Sequence, residues 1–168
     1  SDSAFIPEAP SCDAEHLRSL YARAAFSHQA MTGAFSMVLK LRGKGSKYMS
    51  TSRDATGAHL DGSHSYTLKI PENVPVKDFW SVCVYNANTR SILDTGRPKS
   101  AINSYADLPV NEDGSVDLYF GPKAPKGKKD NWIQTNAGEG WFTYLRFYGP
   151  GETFFDKSWP IKGINQGK

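Results

Sequence analysis

The residues best placed to do chemistry stand at alternate positions of three apolar stretches. Ser81, Cys83 and Tyr85 alternate with Trp80, Val82 and Val84; Asp117 and Tyr119 with Val116, Leu118 and Phe120; Tyr144, Arg146 and Tyr148 with Thr143, Leu145 and Phe147. Successive strand residues point to opposite faces, so the apolar set predicts a core face and the other set a polar, tyrosine-rich face. On that second face we single out Ser81, Tyr85, Asp117, Tyr119, Tyr144, Arg146 and Tyr148 as a ligand-binding set. Aromatic bodies pack on a ligand while a guanidinium grips an anionic or polar group, and a sugar or a carboxylated metabolite has that chemistry. Asp117 is the nearest counter-charge for Arg146 by parity. The same face also suits packing against a helix or a subunit, because Tyr and Arg join apolar area to hydrogen bonds.

Other groupings carry less. His59, Asp61 and His64 have metal-ligand types, but Asp61-Gly62 is also an ordinary turn, and polar residues gather at turns for backbone reasons. No metal and no cofactor is therefore expected. Lys123, Lys126, Lys128 and Lys129 share one loop, and Arg42, Lys44 and Lys47 another, with only Trp132 near the first. Both read as solvated loops, and nucleic-acid binding is not expected. There is no G-x-S-x-G, H-E-x-x-H or Walker pattern, so no catalytic group is marked.

Strands must position these groups. The 168 residues fit one domain, and 15 Gly with 10 Pro imply many turns. Strands are expected at about 34–41, 48–52, 66–70, 79–86, 116–120 and 141–148, with a short one at 91–93 and a hairpin turn at 110–114. Residues 1–12 read as an arm or linker, 13–33 as a helix and 34–168 as the β domain. Leu17, Leu20, Tyr21, Ala24, His28 and Met31 form one helical stripe, which needs a partner: its own sandwich, a second copy or a missing domain. The expected class is an all-β antiparallel jelly-roll sandwich with one N-terminal helix.

A net charge of +3 is short of a dedicated nucleic-acid binder, and no apolar run reaches membrane-spanning length. The two cysteines, Cys12 and Cys83, read as free thiols. No basic start precedes an apolar stretch at the N-terminus; a leader already removed would favour a periplasmic or secreted protein.

Several segments in order resemble an uncharacterised, mainly bacterial family, domain of unknown function 1214. They are LDGSHSYTLKIPENVP (60–75), KDFWSVCVYNANTR (77–90), VNEDGSVDLYFGPKAP (110–125), NWIQT (131–135), GWFTYLRFYGP (140–150) and FDKSWP (155–160). The resemblance implies a jelly-roll sandwich, the C-terminal part of a larger protein or a stand-alone form. In many relatives a second domain, catalogued as 1254, precedes it. Asn86 stands where relatives often carry Asp, and His59 and Cys83 also depart from the pattern. No catalytic residue carries over. The sequence thus supports a structural or interaction module, with ligand binding or catalysis on the tyrosine-rich face as the alternative.

Overall fold

The structure is a computed structural model that describes residues 6–7, 40–97 and 99–167. The expected helix at 13–33, its stripe and Cys12 lie outside the described residues, as does most of the strand expected at 34–41. Of that strand, Lys40 and Leu41 are described, and neither is extended into a sheet.

Two sheets face each other. The first contains β1 (Ile6–Pro7), β2 (Ser46–Thr51), β4 (Trp80–Asn86), β5 (Ala101–Asn103) and β8 (Trp141–Tyr148), in the order β1-β2-β8-β4-β5. The second contains β3 (Tyr66–Ile70), β6 (Val116–Gly121), β7 (Trp132–Gln134) and β9 (Asn165–Gln166), in the order β7-β6-β3-β9. One short helix, α1 (Glu152–Phe155), follows β8. The chain passes from β2 to β3, back to β4, then from β5 to β6 and from β7 to β8, changing sheet each time. That winding is the jelly-roll form of a sandwich. Pairing is antiparallel except between β6 and β7.

Alternation puts the core where the sequence places it. Trp80, Val82, Val84, Leu145 and Phe147 from the first sheet meet Tyr66, Leu68, Ile70, Leu118 and Phe120 from the second in one cluster. Leu118 and Leu145 are 0% exposed and Trp80 6%. Trp141, at the inward start of β8, lies against Phe120 at 5.0 Å and Tyr66 at 5.6 Å between ring centroids. Each fully buried aliphatic or aromatic side chain contributes roughly 1.5–3 kcal/mol relative to exposure.

The differences from the sequence reading have local causes. Residues 91–93 form no strand; Ile92 makes a single bridge to Tyr85. The turn at 110–114 forms, with Gly114 at φ +74° and its N–H donating to the Asn111 carbonyl, but no strand precedes it. It is therefore a connection between sheets and not a hairpin. Strands β5 and β7, three residues each, are too short to show an alternating pattern.

Candidate functional site

Strand β8 runs between β2 and β4 and sets the outer face of the first sheet. Its sequence, WFTYLRFY, is dense in aromatics that suit a half-buried pleated surface. Gly140 precedes it, and Gly149, at φ +64°, turns the chain away at its end. Register then decides the neighbours. Arg146 lies between Tyr48 on β2 and Ser81 on β4; Tyr144 lies between Ser50 and Cys83; Phe142 faces Tyr85.

Five of the seven sequence-selected residues therefore share one face: Ser81, Tyr85, Tyr144, Arg146 and Tyr148. Asp117 and Tyr119 do not. They face outward from β6 in the second sheet, opposite Lys69 and Thr67 of β3, on the far side of the sandwich. Parity is the same, but the chain changes sheet between β5 and β6. Asp117 is thus no counter-charge for Arg146. Tyr119 lies instead beside Trp132, with the Lys128 ammonium 5.9 Å from its ring centre.

Arg146 is half-buried at the centre of the face. Its guanidinium donates to the Tyr85 hydroxyl, and its central carbon stands 5.7 Å from the Tyr48 ring and 5.9 Å from the Tyr85 ring. Both distances lie within cation–π range. The Tyr48 hydroxyl is 2.9 Å from the Ser46 hydroxyl. Tyr144 stands edge-on to Tyr48, Tyr85 and Phe142, at 6.2, 5.4 and 5.6 Å. Tyr148 stacks on Phe79 at 4.0 Å, and Arg90 lies 5.4 Å over Phe142. The face is thus an arginine held within an aromatic frame.

One group in it is unsatisfied. The Nε of Arg146 is buried and has no hydrogen-bond partner. Among the described residues no carboxylate forms an ion pair with Arg146; the two ion pairs there are Arg42–Glu152 and Lys69–Asp113. Burial works against the Arg146 charge, but Tyr85, Cys83 and Tyr148 outweigh it and raise the guanidinium further above its ordinary value. Burial pushes up the Cys83 thiol, with Arg146 and Ser81 pulling partly back, and it pushes up the Tyr85 phenol in the same way against Arg146. Neither is primed as a nucleophile or base at neutral pH. Among the described residues, the strands of this face present hydroxyls, aromatic rings, a thiol, the Asn103 amide and a guanidinium outward, with no carboxylate or imidazole. Such groups recognise a partner better than they move its protons.

Sequence reasoning missed Tyr48 and Phe142. Phe142 has the parity of Tyr144 and belongs to the same strand, so the pattern already held it. Tyr48 needed the β2–β8 pairing, which parity does not supply.

The other groupings resolve locally. The Asp61 carboxylate accepts the Ser63 N–H at 2.7 Å, and the His64 N–H donates to the Asp61 carbonyl at 3.2 Å, which closes a turn. Among the described residues no group of three His, Cys, Asp or Glu gathers as a metal site would. No helix of the described residues is long and apolar enough to cross a membrane. Asn86 accepts the Asn88 and Thr89 N–H groups through its Oδ1, at 2.8 and 3.1 Å, and donates from Nδ2 to Glu139 at 2.8 Å. An Asp there could not donate, and its charge would face Glu139.

The family described as protein of unknown function (DUF1214) matches residues 45–152. The chain belongs to this family. The VPA0106 protein of Vibrio parahaemolyticus is similar in structure, with a TM-score of 0.67 at 19% identity over 88% of this chain and 35% of that one. An uncharacterised protein of Burkholderia cenocepacia is also similar, with a TM-score of 0.51 at 20% identity over 73% of this chain and 29% of that one. At these identities the likeness shows the fold alone. The chain spans about a third of the length of these two relatives. No curated protein matches it.

Proposed function

We propose that this sandwich is a binding module whose outer β2-β8-β4 face takes a carboxylate group onto Arg146. The observation that carries the reading is the buried, partnerless Nε of Arg146 within the frame of Tyr48, Tyr85 and Tyr144. An unsatisfied buried donor on a charged group is costly, and a carboxylate oxygen is its natural acceptor. The aromatic walls would pack on the body that bears the carboxylate. That body is either a small acid, such as a sugar acid or a dicarboxylate, or an acidic side chain of a polypeptide packed on the sheet. Interaction with a second copy or with another domain falls under the second source.

Calorimetric titration with acetate, succinate, glucuronate and galacturonate, using glucose as the uncharged control, tests the first source. Light scattering over a dilution series tests the second, as self-association through this face. Binding or self-association that Arg146→Met abolishes, while the variant keeps the wild-type circular dichroism spectrum and Tm, supports the proposal. A folded variant that retains all binding and the wild-type mass overturns it. An unfolded Arg146→Met chain would make Arg146 a structural strut and overturn it equally; Arg146→Lys, which keeps charge and stem but loses Nε, then shows whether the stem alone restores folding.

A further inference from the structure

Where the loop before β5 meets β7, the edge strand of the second sheet, a further set of groups converges that no motif announces. Arg97 and Lys99 come from the loop before β5, Lys129 from the loop before β7, and Trp132 and Gln134 from β7 itself; together they line a small open recess of about 70 Å³. Trp132 is nearly buried and its indole N–H donates to the Gly121 carbonyl at 3.0 Å, so the ring is fixed. The Arg97 guanidinium stands 5.6 Å over that ring. The Lys99 ammonium donates to the backbone carbonyl of Asp130, tying the two loops together. Beside Trp132 in the parallel register, Tyr119 lies under the Lys128 ammonium. Two neighbouring aromatic rings thus each hold a cation.

The charges around the recess are one-sided. Among the described residues Arg97, Lys99 and Lys129 form no ion pair. Asp130 is the adjacent acid, and what Lys99 contacts there is its main-chain carbonyl. Asp94, in the same loop as Arg97, uses its carboxylate to accept the Gly96 N–H at 2.8 Å. A guanidinium 5.6 Å over a fixed indole lies within cation–π range, and its N–H groups are available for a forked contact. Ammonium groups beside it add point charges, and the Gln134 amide adds a neutral donor. Tetrahedral oxyanions match that set.

We infer that the Arg97–Lys99–Lys129 recess over Trp132 is a binding site for a phosphate- or sulfate-class oxyanion carried by a small molecule. It is independent of Arg146, which is not among its lining residues.

Calorimetric titration of the full chain with pyrophosphate, inorganic phosphate and sulfate tests it, with a single-stranded oligonucleotide as a separate arm. The expected result is saturable binding of pyrophosphate that Arg97→Met and Lys129→Met each weaken about tenfold. Binding should persist in Arg146→Met and in Lys123→Met, the latter removing an exposed cation of the same lysine-rich loop that is not among the recess-lining residues. Preference between pyrophosphate and sulfate identifies the source of the oxyanion. Four outcomes overturn the inference: no saturation, equal affinity in Arg97→Met, equal weakening by Lys123→Met, or oligonucleotide binding without pyrophosphate binding. The last three mark a diffuse basic surface.

Discussion

Replacing Leu145 by Ala probes the face assignment on which the rest depends. Leu145 is 0% exposed, at the middle of the central strand, paired with Met49 on one side and Val82 on the other. Its fixed neighbours leave little room for collapse into the gap. Loss of three carbons at ~0.8 kcal/mol each gives about 2.4 kcal/mol of transfer energy. The cavity adds to this, and the total should lie between about 2.4 and 5 kcal/mol. For a domain of this size each kcal/mol shifts Tm by about 2–4 °C, so a fall of roughly 5–20 °C is expected. Urea unfolding followed by tryptophan fluorescence measures the free energy, and circular dichroism confirms that the variant starts folded. A loss under about 1 kcal/mol would mean that Leu145 does not face the core, and that Arg146 beside it does not face outward.

Three further outcomes are expected. Asp113, held at about 2 by the Ser115 hydroxyl first and then by the Lys69 ammonium, contributes stability that is present above its usual 3.8 and lost as pH falls through its folded value. Asp113→Asn should therefore flatten the decline in unfolding free energy from about pH 4 to about pH 2; an unchanged acid slope would contradict the pairing. Cys83, buried and with its thiol pushed up, should resist a disulfide reagent at pH 8 in a Cys12→Ser chain until denaturant is added, and rapid native-state labelling would place it at the surface. Gly62→Ala would set a methyl group 2.0 Å from the Asn136 carbonyl oxygen, a backbone atom, and should cost about 1–3 kcal/mol in the same urea assay; a wild-type midpoint would show that this contact is not made.

The sequence exposes face but not neighbourhood. Alternation alone places Trp80, Leu118 and Leu145 inward, because a two-residue period survives any sheet order. It also gathers Tyr85, Tyr144 and Arg146, whose strands happen to pair. It fails for Asp117 and Tyr119, because a strand parity says inward or outward and not which of two sheets. Tyr48 was out of reach for the same reason. The oxyanion recess was the least legible part. Its Arg97 and Lys99 meet Lys129 and Trp132 across 30 or more residues of chain, through the three-residue strands β5 and β7. The lysine loop and Trp132 near it are visible in the sequence, but the second loop that meets them is not. The turn at Asp61 shows the opposite case: a short-range Asx pattern is settled by local geometry, and the structure follows it.

The Nε–Hε resonance of Arg146 reports most directly on whether this nitrogen awaits a carboxylate. In a ¹⁵N-labelled chain it is assigned as the side-chain cross-peak missing from Arg146→Met. The account predicts that this cross-peak moves downfield and saturates on titration with succinate or a uronic acid, or, if the carboxylate belongs to a second copy, that it shifts with protein concentration in step with self-association. A cross-peak that stays fixed through both titrations would contradict the assignment of this face as a carboxylate site.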